Sequence, residues 1–341
     1  MLRFALIGAG NIARTHADAI RASDRARLVA VAGGPGAEQM AAGEGVRYHP
    51  DPTALCGDSE VDAVILCTPS GIRRDYTLAA AACGKHVLVE KPIEVDLGRA
   101  REMVTACERA GVTLGVVFQS RFKPHVEAAQ AAVARGALGD LVLASMAVKW
   151  HRPPEYYASA DWRGTWAFDG GGPLINQAIH NVDMLLWIMG DVRRVRAATA
   201  NRLHRDIEVE DTAVAQLEFA SGALGVLEAT TAAYPGSPRR LELHGTAGTI
   251  TLLDDEVAEW DLQDGTPAPA NEVAAAVAAA RATHVMADFR WHQRQIEDFV
   301  DAVTQGGRPR VDGREGLRSL ALVRAVYEAA RTGGAVEVGR G

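Results

Sequence analysis

The sequence is short of the features that mark several broad classes. Its four cysteines, Cys56, Cys67, Cys83 and Cys107, form no C-x-x-C pair and no metal-ligand spacing. That argues against a disulfide scaffold or a zinc module, predicts no metal, and leaves them as small buried hydrophobes in a reduced compartment. Basic charge is also scarce: 36 Lys and Arg against 43 Asp and Glu give a net charge of −7. No concentrated basic face is therefore expected for nucleic acid or an anionic membrane. No apolar run approaches the roughly 20 residues of a bilayer span. The apolar start, Met1 to Ile7, stops at Gly8-Ala9-Gly10, too short for a signal peptide, so a cytoplasmic location is expected.

What is present is an ordinary globular composition over 341 residues, longer than one core usually supports, so two domains are expected. Residues 3–117 alternate short apolar runs with helical patterns. Strands are predicted at 3–7, 28–32, 63–67, 86–89 and 113–117, with helices near 12–23, 75–82 and 97–110. Near-continuous apolar strands separated by helices make a parallel sheet covered on both faces. After Phe118 the pattern changes. A helix at 124–134 leads to a long strand at 141–150, a Pro/Tyr/Trp-rich loop at 151–172 and a helix at 173–189. Strands follow at 195–201, 212–219, 224–231, 239–244, 249–253 and 257–261. In the strand 212–219, Ala213, Ala215, Leu217 and Phe219 alternate with polar residues, the mark of a half-buried antiparallel strand. Residues 263–287 read as a peripheral excursion, and helices at 288–304 and 314–332 close the chain. The fold class is α/β: a doubly wound parallel sheet, then an α+β domain with a large, mostly antiparallel sheet. The boundary falls at 1–120 and 121–341, with the last helix open to packing back on the first domain.

Gly8-Ala9-Gly10-Asn11-Ile12-Ala13 lies between the first strand and the first helix. The first glycine permits the tight turn, the second lets backbone approach a pyrophosphate, and the small Ala13 lets helix pack on strand. The helix N-terminus then offers N–H groups and partial positive charge to phosphates. Gly8, Gly10, Asn11 and Ile12 are thus expected cofactor contacts of a Rossmann-type dinucleotide site. At the end of the second strand, Gly33-Gly34-Pro35 stands where an acidic residue would favour NAD or an Arg NADP. Gly33 is expected beside the cofactor, Glu38 comes late and Arg47 is distant, so NAD or NADP stays open. Thr68-Pro69-Ser70 follows the strand ending at Cys67 and is either a second cofactor contact or a plain turn. Glu90-Lys91-Pro92 follows the strand 86–89. A lysine there is often only solvated, but the proline permits a cis bond that would aim the ammonium into the cleft.

With these elements the chain resembles the Gfo/Idh/MocA oxidoreductases, relatives of glucose–fructose oxidoreductase and inositol dehydrogenase. The likeness rests on Gly8–Ala13, Thr68-Pro69, Gly84-Lys85-His86-Val87 leading into Glu90-Lys91-Pro92, and Gly170-Gly171-Gly172 followed by His180 and Asp183. It extends to His292 through Phe299 and covers nearly the whole chain. The resemblance implies that Lys91 hydrogen-bonds the reacting hydroxyl, that His180 is the general acid/base, and that Glu90 and Pro92 line the cofactor. It also implies a homodimer or homotetramer formed through the C-terminal sheet. Asn176, His180 and Asp183, at i, i+4 and i+7, would share one face of the helix from Pro173. Two positions depart from the common pattern. Asn176 stands where many members have Asp, so it can orient a hydroxyl but not take its proton, and Arg73 stands where a His is frequent.

In the loop 151–166, His151, Tyr156, Trp162 and Arg163 suit a sugar ring or an acidic substituent; the alternative is a loop whose aromatics serve the core. Gln119 and Arg121, at the crossover, are candidate cofactor and substrate contacts, and His292 is either near the substrate or a packing residue. The expected activity is hydride exchange between NAD or NADP and a secondary alcohol or ketone of a sugar, sugar derivative or cyclitol. Two alternatives remain: a retained, recycling cofactor that assists glycoside cleavage or elimination, and a non-catalytic dinucleotide-binding sensor.

Overall fold

The computed structural model describes residues 1–270 and 288–339, so most of the expected excursion at 263–287 lies outside the described residues. The chain forms two compact units: Met1–Gln119 with residues 288–317, and residues 120–270 with 318–339. Among the described residues no helix is long and apolar enough to cross a membrane.

In the first unit β1 (Leu2–Ile7), α1 (Asn11–Arg21), β2 (Ala26–Ala32), α2 (Ala37–Glu44), β3 (Arg47–His49), β4 (Ala63–Leu66), α3 (Arg73–Ala82), β5 (His86–Val89), α4 (Leu97–Ala110) and β6 (Leu114–Val116) follow in order. The six strands stand in the order β3-β2-β1-β4-β5-β6, every pair parallel. This is the doubly wound arrangement that the alternating apolar runs predicted. The α4 helix shows why such segments fold as they do. Asp96 caps its N-terminus by accepting the Arg99 N–H at 2.9 Å, Ala100, Met103, Val104 and Cys107 supply a buried stripe, and Gly111 ends it in the left-handed region. The short pair α2 and β3 was not predicted. Cys83 corrects the expectation of four buried thiols: it lies at the C-terminal turn of α3 and is exposed, while Cys56 and Cys107 are buried and Cys67 half-buried.

The second unit contains α5 (Pro124–Ala134), β7 (Leu141–Lys149), α6 (Pro154–Ala158), α7 (Pro173–Asn176), α8 (Ile179–Met189), β8 (Val192–Ala200), β9 (Thr212–Phe219), β10 (Leu224–Thr230), β11 (Arg240–Gly245), β12 (Gly248–Leu253) and β13 (Glu256–Leu262). Its sheet runs β13-β12-β11-β7-β10-β9-β8, antiparallel except where β7 meets β10. The expected single helix over 173–189 is in fact two. The Pro173 carbonyl accepts both the Gln177 and the Ala178 N–H, and the second of these bonds opens the turn and resets the helix. Asn176, His180 and Asp183 therefore do not share one continuous polar face. Nor is α8 amphipathic, since nearly all of it is buried, Asp183 included.

The chain then returns to the first unit through α9 (Arg290–Gln305). Its Ile296, Phe299 and Val300 pack in one core with Phe4, Leu6 and Leu88, and the Gln295 side chain donates to the Val116 carbonyl at 2.7 Å. The last helix α10 (Gly313–Thr332) leads to β14 (Val336–Glu337), which adds to the second sheet beside β8.

Candidate functional site

Strand order reverses between β1 and β4, so their carboxyl ends flank the crevice where open α/β sheets take ligands. Gly8 and Thr68-Pro69-Ser70 sit at those two ends. Gly8 has φ +106°, and a Cβ on it would come within 2.9 Å of the Cys67 carbonyl oxygen, so both conformation and space require glycine. Gly10 is the N-cap of α1 with no side-chain cap, and a Cβ there would meet nothing within 4 Å. The first N–H groups of α1, at exposed Asn11 and half-buried Ile12, thus begin a helix with no capping side chain and open space over its cap. The Thr68 hydroxyl and the Gln119 side-chain carbonyl are buried without a hydrogen-bond partner. An uncapped helix start and orphaned polar atoms fit the pyrophosphate and ribose of a dinucleotide. Gly33, at φ +67°, packs on Pro52; Glu38 is exposed, and Arg47 is engaged by Asp58 at 2.8 Å.

Beside this crevice β5 delivers Glu90, half-buried Lys91 and buried Pro92, with the Lys91–Pro92 peptide cis. The buried Glu90 carboxylate meets His16 Nε2 at 2.7 Å and accepts the Lys91 backbone N–H at 3.1 Å. The His292 ring stands edge-on to His16, with centroids 5.2 Å apart. Burial alone would raise the Glu90 carboxyl, but the His16 hydrogen bond and the charges of His16, His292 and Lys91 bring it down to about 2. The ligand-type atoms of His16, Glu90 and His292 lie within 4.8 Å of one another, a metal-like grouping among the described residues that sequence spacing did not show. The His16–Glu90 hydrogen bond of 2.7 Å lies within this group. Reasoning from sequence missed His16, although its place beside Ala13, Ala17 and Ile20 on the apolar stripe of α1 was a readable signal. Buried Arg73, the departure noted above, clasps the site: it donates to the Thr68 carbonyl at 2.8 and 3.1 Å and to the carbonyls of Glu90 and Pro92.

In the second unit the Gly170-Gly171-Gly172 turn is fitted to its surroundings. A Cβ on Gly171 would meet the Tyr327 hydroxyl at 2.1 Å, and one on Gly172 the Glu210 carbonyl at 1.7 Å. The Glu210 carboxyl accepts the N–H groups of Gly172 (2.9 Å) and Leu174 (3.3 Å) and the Tyr327 hydroxyl (2.9 Å). Burial nevertheless dominates these bonds and pushes it up to about 7. Asp169 receives the Asn176 amide N–H at 2.8 Å and the Gly164 N–H at 2.7 Å. Because a carboxylate only accepts, this bond fixes which way the Asn176 amide faces. Over residues 171–186 only Asn176 and His180 are not fully buried. Arg121, expected at the ligand, lies in the core instead, 1% exposed and held by Asp183 through two bonds of 2.7 Å, with Ser319 also donating to Asp183. Tyr156, Trp162 and Arg163 cluster together, whereas His151 packs edge-on against Tyr234. Asp169, Glu210 and Tyr327 had no local sequence signal, since their partners are set by tertiary packing.

Known proteins match most of the length of this chain. A model of the oxidoreductase family with an NAD-binding Rossmann fold matches residues 2–118, and one of the GFO/IDH/MocA C-terminal domain matches residues 126–251. The chain is 30% identical to the D-apiose dehydrogenase of Paraburkholderia graminis over 98% of this chain and 89% of that one. It is 28% identical to the inositol 2-dehydrogenase of Rhizobium meliloti, over 96% and 97% of the two chains. The crystal structure of the WlbA dehydrogenase from Bordetella pertussis, in complex with NADH and UDP-GlcNAcA, superposes with a TM-score of 0.88 at 34% identity, covering 99% and 98% of the chains. On its fold, its crevice and these matches, the chain belongs to the Gfo/Idh/MocA family of NAD-binding oxidoreductases.

Proposed function

We propose that this protein exchanges a hydride between NAD or NADP and a secondary alcohol or ketone of a sugar, sugar derivative or cyclitol. The first unit binds the dinucleotide and the second the substrate. Gly8, Gly10, Asn11, Ile12, Gly33, Thr68, Ser70 and Gln119 would hold the cofactor, which supplies the hydride chemistry when bound. Lys91 donates a hydrogen bond to the reacting oxygen, polarising it. His180 takes the hydroxyl proton in oxidation and returns it in reduction, while Asn176 orients the hydroxyl. The observation that carries this reading is the pattern of access: in an otherwise buried stretch over residues 171–186, the two residues that keep partial exposure are Asn176 and His180. The names of the relatives, dehydrogenases of apiose and inositol, support the substrate class. Leu143, Val214, Leu224 and Val226 are exposed and share one sheet face through the strand pairing, which supports a homodimer or homotetramer measurable by light scattering.

The test is steady-state turnover with a panel of sugars and inositols. Lys91→Ala and His180→Ala should each lose at least ~10² in kcat while NADH binding, read by fluorescence, changes little. A variant that keeps wild-type turnover would remove its residue from the mechanism.

A further inference from the structure

Arg152 and Arg163 are placed by backbone rather than by charge. The Arg152 N–H donates to the Thr231 carbonyl at 2.8 Å and the Arg163 N–H to the Ala160 carbonyl at 3.0 Å. Their guanidinium carbons lie 4.9 and 4.5 Å from the centre of one ring, Tyr156. Each also stacks on a second aromatic, Arg152 on Trp150 at 5.2 Å and Arg163 on Trp162 at 4.5 Å. Stacking stabilises the cationic faces but leaves the in-plane N–H edges to be answered.

Both edges carry a donor with no acceptor. The Nε atoms of both arginines are buried without a hydrogen-bond partner, and among the described residues neither guanidinium pairs with a carboxylate. The Tyr156 hydroxyl already accepts from Arg163 Nη1 at 2.8 Å and Gln177 Nε2 at 3.1 Å, which leaves its own proton to donate. Two like charges against one ring, with inward donors that solvent does not reach, would be an unfavourable arrangement in isolation. An unanswered buried donor costs roughly 1–3 kcal/mol, and more when charged. A neutral hydroxyl could satisfy one donor but neither charge. A carboxylate or phosphate satisfies both, because the Nε–Nη edge of a guanidinium matches two oxygens of either group.

We propose that Arg152, Tyr156 and Arg163, walled by Trp150 and Trp162, form a subsite for an anionic substituent, carboxylate or phosphate, of the substrate. This rests on the oxidoreductase reading above and narrows its substrate class to acidic or phosphorylated sugars or cyclitols.

Titration calorimetry on the full chain with saturating NADH tests it, using glucose, glucuronate, glucose 6-phosphate, myo-inositol and myo-inositol 1-phosphate as probes. At least one anionic probe should bind at least tenfold more tightly than its neutral counterpart, and added salt should narrow that gap. A preference for glucuronate points to a carboxylate, and a preference for the phosphates to a phosphoryl group. Arg152→Gln and Arg163→Gln should each erase most of the gap, Arg163→Lys should restore part of it, and NADH binding should stay as in wild type. The wild-type preference and its salt dependence need no variant, so a misfolded variant does not shield the proposal. Equal binding of charged and neutral probes, or binding of none, overturns it. So does an anion preference that survives in both folded glutamine variants. If wild type binds neither NADH nor NADPH, the oxidoreductase reading falls; if a dinucleotide binds and no anion is preferred, only the subsite falls.

Discussion

Glu90 in the first unit and Glu210 in the second are both buried carboxyls beside turns that carry candidate site residues, yet their surroundings push them in opposite directions. Glu90 faces groups that can carry positive charge, His16, His292 and the adjacent Lys91, and is held ionised, down at about 2. Glu210 faces more hydrogen-bond donors, but all are neutral: two backbone N–H groups and the Tyr327 hydroxyl. Burial wins there and lifts it to about 7. Counting hydrogen bonds would rank the two the other way round. Charge on the partner, rather than the number of partners, decides whether a desolvated carboxylate stays ionised. The Lys91 turn is thus built on a fixed charge, and the Gly170-Gly171-Gly172 turn on a group that titrates near neutrality.

The largest effect should come from breaking the first arrangement. Glu90→Gln leaves two buried imidazoles facing an amide, and removing one partner of a buried pair typically costs about 3–5 kcal/mol. Urea unfolding at pH 7 should show that loss. A loss under about 1 kcal/mol would mean that Glu90 is not the anchor its partners imply. The sign of the pH dependence follows from its depressed value. The stability Glu90 contributes is fully present above the ordinary carboxyl value of 4.5 and is lost as pH falls from there toward 2.

Glu210 should show the mirror image. Its folded value is raised, so its contribution is present below 4.5 and fades as pH rises from 4.5 through about 7. A full shift of this size corresponds to something on the order of 3 kcal/mol, at the lower end of the Glu90 loss and read as a slope rather than an offset. Glu210→Gln removes the titration and keeps one accepting oxygen, enough for Leu174 and Tyr327 on the Oε1 side but not for Gly172, which bonds Oε2. Melts between pH 5 and pH 8 should flatten in the variant relative to wild type. Equal slopes in the two proteins would erase the contrast.

The contrast also marks what the sequence could show. The parallel sheet, the phosphate-type turn and the segment Glu90-Lys91-Pro92 are local: strand, turn and helix patterns lie in continuous stretches, and the structure places them at the carboxyl ends of β1 and β5. The alternation in β9 likewise reports its own buried face. What escaped depends on partners distant in the chain. The stripe of Ile296, Phe299 and Val300 announces a buried helix face but not that it covers the first core. Arg121 reads as a free cation until Asp183 is found beside it. The break between α7 and α8 comes from a second bond to one carbonyl, which no apolar periodicity encodes. Of the candidate site, the residues on turns were legible, and the carboxyls that brace those turns, Asp169 and Glu210, were not.

The smallest expected effect gives the finest test of the comparison. Tyr327→Phe removes one donor from Glu210, the hydroxyl at 2.9 Å, together with the acceptor of the Ile175 N–H, while the ring keeps its edge-on packing against Trp166. If Glu210 is neutral at the pH of measurement, the loss is that of an ordinary hydrogen bond, about 0.5–1.5 kcal/mol. A bond to an ionised carboxylate would cost more, about 1.5–3 kcal/mol. The hydroxyl also lowers the carboxyl value, so its removal should move the stability loss of the second unit to higher pH. Measured at pH 5.5 and again at pH 8.5, the cost of the substitution should therefore grow with pH. A cost that is large and constant over that range would show Glu210 ionised throughout, and the second turn would then rest on a fixed charge like the first.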